Sequence, residues 1–107
     1  MTGTRGIWYT MRVISLKTLK DYWKAESAAE AELRAWYAEA KNAAWKTPAD
    51  IKAKYRDASI LKAGRVVFNI CGNKYRLVVW INFKAGIVYI RFVGTHKQYD
   101  KIDAETI

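Results

Sequence analysis

The sequence holds one cysteine, one proline and one histidine in 107 residues, with only 6 glycines. The lone Cys71 excludes a disulfide framework and any cysteine-based zinc site; set in an apolar run, it reads as a small core or sheet residue. One histidine cannot build a His-rich metal centre, so neither a metal nor any other cofactor is expected. No run approaches the roughly 20 apolar residues that span a bilayer, and the opening MTGTRGIWYT lacks the charged-then-apolar order of a secretory signal. A cytoplasmic protein without a membrane partner is expected. There is no phosphate loop of the GxxxxGKS type and no persuasive Ser-His-Asp order. The chain is not a disordered basic tail either, because 51% hydrophobic and 14% aromatic residues can fill a core. Its length suits one domain.

Acidic residues are scarce in a particular place. Residues 1–50 carry 8 basic and 6 acidic side chains, whereas residues 51–107 carry 11 and 4. Between Ala58 and Tyr99 stand Lys62, Arg65, Lys74, Arg76, Lys84, Arg91 and Lys97 without one Asp or Glu. A field of one sign over that stretch attracts a polyanion.

Residues 1–10 show no periodicity and read as a flexible extension, the domain itself occupying residues 11–107. Met11-Arg12-Val13-Ile14 is strand-like. Ser15 is an expected N-cap for a helix over 16–25, whose Leu16, Leu19 and Trp23 share one face. Ser27 and Glu30 form a capping-box pattern ahead of a second helix over 28–44, with Leu33, Trp36, Tyr37, Ala40 and Ala44 facing inward. Thr47-Pro48-Ala49-Asp50 starts a short helical segment carrying Ile51 and Tyr55.

From Gly64 the period changes to alternation, interrupted by Gly72-Asn73 and Ala85-Gly86, which predicts three strands over 65–71, 74–84 and 86–94. One face collects Val66, Phe68, Ile70, Tyr75, Leu77, Val79, Ile81, Phe83, Val88, Ile90 and Phe92, and the helices must cover it. The other collects Val67, Asn69, Lys74, Arg76, Val78, Trp80, Asn82, Lys84, Ile87, Tyr89, Arg91 and Val93. Thr95 and Gln98 mark a last helical turn, on which His96, Tyr99 and Asp100 share a side. The fold class is therefore α+β: two N-terminal helices on one face of a small, twisted, mainly antiparallel sheet, closed by a short C-terminal helical turn.

Arg76 and Arg91 on neighbouring strands can grip a phosphate with planar forks, although arginine on an open strand also simply guards a sheet against self-association. Trp80 and Tyr89 can stack on unpaired bases or pack beneath a loop. His96 is a candidate general acid or base, and Tyr99 can orient a phosphate oxygen. Asp100 either orients His96 or serves the helix start. RNA cleavage asks only for such groups: something to deprotonate the 2′-hydroxyl, cations for the charge on the phosphorane, and an acid for the leaving oxygen. A non-catalytic RNA- or ribosome-binding module would need only the aromatics and cations. A free-standing DNA reader is disfavoured, because the helix faces are committed to the core.

The segments Gly72-Asn73-Lys74-Tyr75-Arg76-Leu77 and Gly94-Thr95-His96-Lys97-Gln98-Tyr99-Asp100, with the Met11-Arg12-Val13-Ile14 start, resemble the HigB family of bacterial type II toxins. The resemblance implies a RelE-like fold and an endoribonuclease that cuts mRNA engaged with the ribosome. It further implies a HigA-type helix-turn-helix antitoxin, through which any operator DNA would be bound. By this analogy Arg76 and Arg91 stabilise the phosphate and His96 and Tyr99 are the acid/base candidates. Lys74, Lys84 and Lys97, with Trp80 and Tyr89, are expected to contact RNA.

Overall fold

The computed structural model describes residues 10–107, so the expected extension lies outside the described residues except for Thr10. The elements run β1 (Arg12–Ile14), α1 (Leu16–Ala25), α2 (Glu30–Asn42), α3 (Pro48–Lys54), β2 (Ser59–Ile60), β3 (Arg65–Ile70), β4 (Tyr75–Asn82), β5 (Ile87–Thr95) and α4 (His96–Tyr99). One sheet of order β1-β5-β4-β3-β2 results, antiparallel except where β1 lies parallel to β5. A parallel neighbour requires a crossover, and all three of the first helices lie within it. Among the described residues no helix is long and apolar enough to cross a membrane.

The helices bury Leu19 and Trp23 of α1, Leu33, Trp36 and Ala40 of α2, and Ile51 of α3 against Val66, Phe68, Ile70, Leu77, Val79, Ile81, Val88 and Ile90 of the sheet. Phe68 is the hub. Its ring lies edge-on to Trp36 at 5.4 Å and to Tyr55 at 5.0 Å, and stacks with Trp45 at 6.1 Å. Such ring pairs add to the free energy of simple area burial.

Several local expectations are corrected. Ser15 adopts a left-handed conformation (φ 71°) and its side chain caps nothing, because the sharp exit from β1 takes its hydroxyl off the first turn of α1. Ser27–Ala29 form a 3₁₀ turn, and α2 starts only at Glu30, whose carboxylate accepts from Arg34 at 2.7 Å instead of reaching back. Helix α2 ends at Asn42, leaving Ala44 exposed and bringing Trp45 into the core in its place. The start of α3 is as expected, since the Lys46 and Thr47 amides both donate to Asp50 at 2.8 and 3.1 Å. Strand β2 is too short and too exposed to show alternation.

The larger correction concerns β5. Val78 pairs with Phe92 but Val79 pairs with Ile90, so Arg91 is an extra residue, a β-bulge. Beyond it the alternation inverts: Phe92 turns to the second face, and Val93 packs against the helix-side core. Nor is the second face open throughout. Val67, Val78 and Ala104 are buried together there, with Leu61, Phe92, Tyr99, Ile102 and Ile107 packed around them, so residues 100–107 fold back over the sheet.

Removing the hub, Phe68→Ala, should cost about 3–5 kcal/mol in urea unfolding, the usual loss for a buried aromatic. The two amide bonds hold the Asp50 carboxyl below its ordinary value of 3.8. Its stabilising effect is therefore present above the unfolded pKa and is lost as pH falls through the folded one. Asp50→Asn should lower Tm at neutral pH and flatten the fall in Tm between about pH 5 and about pH 3, read by thermal scans across that range.

Candidate active site

The β4–β5 ladder begins with Tyr75 opposite Thr95, which sets the turn of residues 71–74 beside the start of α4. Cys71 (φ 55°) and Gly72 (φ 67°) both take left-handed backbone in that turn. The His96 amide donates to the Lys74 carbonyl at 3.1 Å, joining turn to helix. Thr95 and Gln98 cap each other: the Gln98 amide donates to Thr95 Oγ1 at 3.1 Å and the Thr95 amide to Gln98 Oε1 at 2.9 Å. The expected capping box is thus present, and it makes His96 the first residue of α4.

The His96 and Asp100 side chains are both exposed, with Nδ1 3.4 Å from Oδ2, a contact that becomes an ion pair when the imidazole is protonated. Arg76 is held from the turn side. Its Nη1 donates to the carbonyls of Asn73 (3.0 Å) and Tyr75 (3.3 Å) and its Nη2 to Asn73 Oδ1 (3.3 Å), while the guanidinium carbon lies 5.9 Å from the centre of the Tyr99 ring. Asn73, in the turn expected at Gly72-Asn73, is what orients this arginine. Lys74 and Lys97 flank the group and are exposed. The fold therefore gathers Arg76, His96, Tyr99, Asp100, Lys74 and Lys97 at one end of the sheet.

The other expected residues lie apart. Arg91 projects from the bulge, three positions from the Gly94 that pairs with Arg76, or roughly 10 Å along the strand. Its Nε donates to the Ile107 main-chain oxygen at 3.3 Å, not to anything shared with Arg76. Trp80 and Tyr89 are cross-strand partners stacked on each other, with centroids 4.8 Å apart and planes at 21°. Gly64 closes over Trp80, a Cβ there falling 3.1 Å from its Nε1. Lys84 sits in the β4–β5 turn, at the far end of β4 from His96. Arg65, absent from the sequence-based site, lies on the same face opposite Trp80; simple alternation from the buried Val66 places it there.

Carboxylates support the turn from the helix side without neutralising the cations. Glu26 accepts from the Tyr75 hydroxyl at 2.8 Å, and Glu32 from the Cys71 amide at 2.8 Å. Burial, with the bond to Glu26, pushes the Tyr75 phenol up to about 12. Burial and then the nearby Glu32 push the Cys71 thiol up as well; expected as a core or sheet residue, Cys71 instead lies half-buried in the turn just past β3, packed against the helix-side core.

Residues 29–102 match HigB_toxin, the RelE-like toxic component of a toxin-antitoxin system. The chain belongs to the HigB toxin family. The mRNA interferase toxin HigB of Escherichia coli K12 is 34% identical over 92 residues, covering 84% of this chain and 88% of the relative. The mRNA interferase HigB proteins of Escherichia coli O157:H7 and Shigella flexneri match to the same extent. The HigB match takes in the turn, β4, β5 and α4, and so the whole cluster around Arg76 and His96.

A side chain at Gly94 of this HigB-family site would have to displace Gln98 and Phe92. A Cβ there would lie 2.7 Å from both Gln98 Oε1 and Phe92 Cζ. Gly94→Ala should cost about 1–3 kcal/mol, the usual range for overpacking, read by urea unfolding. It should also raise amide exchange at Gln98.

Proposed function

We propose that this chain is the toxin of a type II toxin-antitoxin pair and an endoribonuclease that cleaves mRNA in the cytoplasm, on translating ribosomes. The observation that carries the reading is the convergence of Arg76, His96 and Tyr99 beside the turn of residues 71–74, in a chain whose relatives are named mRNA interferases.

The chemistry follows from the groups present. The scissile phosphate sits at Arg76, whose fork is oriented by Asn73 and stabilises the charge that grows on the phosphorane. The 2′-oxygen attacks phosphorus and the bond to the 5′-oxygen breaks, leaving a 2′,3′-cyclic phosphate and a 5′-hydroxyl. One proton leaves the 2′-hydroxyl and one is delivered to the departing oxygen. His96 is the exposed group suited to one transfer, with Asp100 able to hold its Nδ1 side. Tyr99 orients a phosphate oxygen or takes part in the other transfer, and this scheme calls on no metal. Arg91, Lys74, Lys97 and Lys84, with Trp80 and Tyr89, contact the strand or the ribosome beyond the cleaved bond. A HigA-type helix-turn-helix antitoxin restrains the activity and carries any operator binding.

The test is a reconstituted translation reaction containing the purified chain, with mRNA 5′ ends mapped, beside Arg76→Ala and His96→Ala and with ribosomes omitted in parallel. Cleavage should need the ribosome and should fall about 10²–10⁴-fold in both variants, while their co-sedimentation with ribosomes changes little. Translation arrest without new RNA ends would contradict the reading and indicate a ribosome-blocking binder.

A further inference from the structure

The second face carries a feature that the cleavage chemistry does not use. Arg65 at the start of β3 and Arg91 in the bulge of β5 reach across the intervening β4 to one atom, the Ile107 main-chain oxygen. Arg65 Nη2 donates to it at 2.8 Å and Arg91 Nε at 3.3 Å. Two guanidinium groups beside each other repel, and a phosphate, with several charged oxygens, offsets that repulsion while accepting from both forks. Neither arginine pairs with an Asp or Glu side chain among the described residues. Arg65 Nε is buried with no hydrogen-bond partner, a donor left over. Arg91 is exposed, so the pair can be approached from solvent.

We propose that Arg65 and Arg91 form a second phosphate subsite for the RNA strand, occupied in the free protein by the Ile107 main-chain oxygen. The proposal rests on the endoribonuclease reading and extends it. The scissile phosphate belongs to Arg76, while a neighbouring phosphate of the same strand, further along the face, exchanges with Ile107. Alternation from the buried Ile90 points Arg91 outward, and the bulge leaves it without a paired residue on β4. Trp80 and Tyr89, in the same cross-strand row as Arg65, place an aromatic pair next to the subsite. Only the segment around Ile107 has to move: the Ile107 amide is held to the Asp103 carbonyl at 3.1 Å, and Thr106 is exposed.

The experiment is a salt titration of binding to a short 2′-O-methyl oligoribonucleotide, which cannot be cleaved. It uses wild type, Arg65→Gln, Arg91→Gln, Arg65→Lys and a chain lacking Ile107. Each glutamine variant should bind on the order of tenfold more weakly at low salt. Each should also reduce the slope of log K against log salt by about 0.7, one single-strand phosphate contact. Arg65→Lys should keep the wild-type slope, and removal of Ile107 should tighten binding several-fold. If the glutamine variants and the Ile107 deletion shift only the unfolding midpoint, with affinity and slope unchanged, the two arginines are a latch for the segment at Ile107 and the proposal is wrong. Should Arg65→Gln fail to fold, Arg91→Gln at its exposed position and the Ile107 deletion decide the matter. Cleavage of an all-ribose message in the reconstituted translation reaction, with ribosomes present, is followed alongside. Its absence with the salt-dependent differences intact would contradict the nuclease reading and support the subsite.

Discussion

The β4–β5 ladder, broken once by a bulge, is the constraint on which the rest of this molecule depends. On one side Leu77, Val79, Val88 and Ile90 must stay apolar beneath the helices, and on the other Arg76 and Arg91 must reach solvent. Strict alternation over both strands would place Phe92 in the helix-side core and Val93 outside. The bulge at Arg91 resolves the conflict. It spends one residue on an outward cation and inverts the remainder, so that Val93 fills the core and Phe92 covers Val78. The same ladder pairs Tyr75 with Thr95, and that pairing sets the turn of residues 71–74 against α4.

Charge is distributed to suit. Acidic side chains near the site act from the helix side, where Glu26 takes the Tyr75 hydroxyl and Glu32 the Cys71 amide. They fix the turn while leaving the cations above it unneutralised. On the open side Asn73 holds Arg76 with neutral oxygens, so its full charge remains available to an anion. Asp100, beside His96, is the exception, and its position suits orienting an imidazole.

Much of this was legible in the residues. The apolar spacing of Leu16, Leu19 and Trp23 marks α1, the Thr-Pro-Ala-Asp start marks α3, and the Thr95/Gln98 pattern delivers His96 to the first position of α4. What escaped has physical causes. Capping patterns at Ser15 and Ser27 look sufficient, but the chain's sharp exit from β1 and the 3₁₀ turn before α2 override them. A bulge has no sequence signature apart from the interrupted alternation it creates, and Arg91-Phe92-Val93 can be read either way. The C-terminal segment carries few apolar residues, Ile102, Ala104 and Ile107, yet these cover Val67 and Val78, which alternation alone assigns to solvent. The pairing of Arg76 with Arg91 also rested on adjacency of strands, whereas the bulge and the Ile107 oxygen draw Arg91 toward Arg65.

The chemistry of the RNA ends tests the central claim most directly. A message carrying a single 2′-deoxy substitution at a mapped cleavage position should survive intact at that position while cleavage elsewhere continues. The unsubstituted message should yield a 5′-hydroxyl on the downstream fragment and a 2′,3′-cyclic phosphate upstream, read by mass spectrometry. Cleavage through the deoxy position, or fragments bearing 5′-phosphates, would contradict attack by the 2′-hydroxyl at the Arg76 and His96 site.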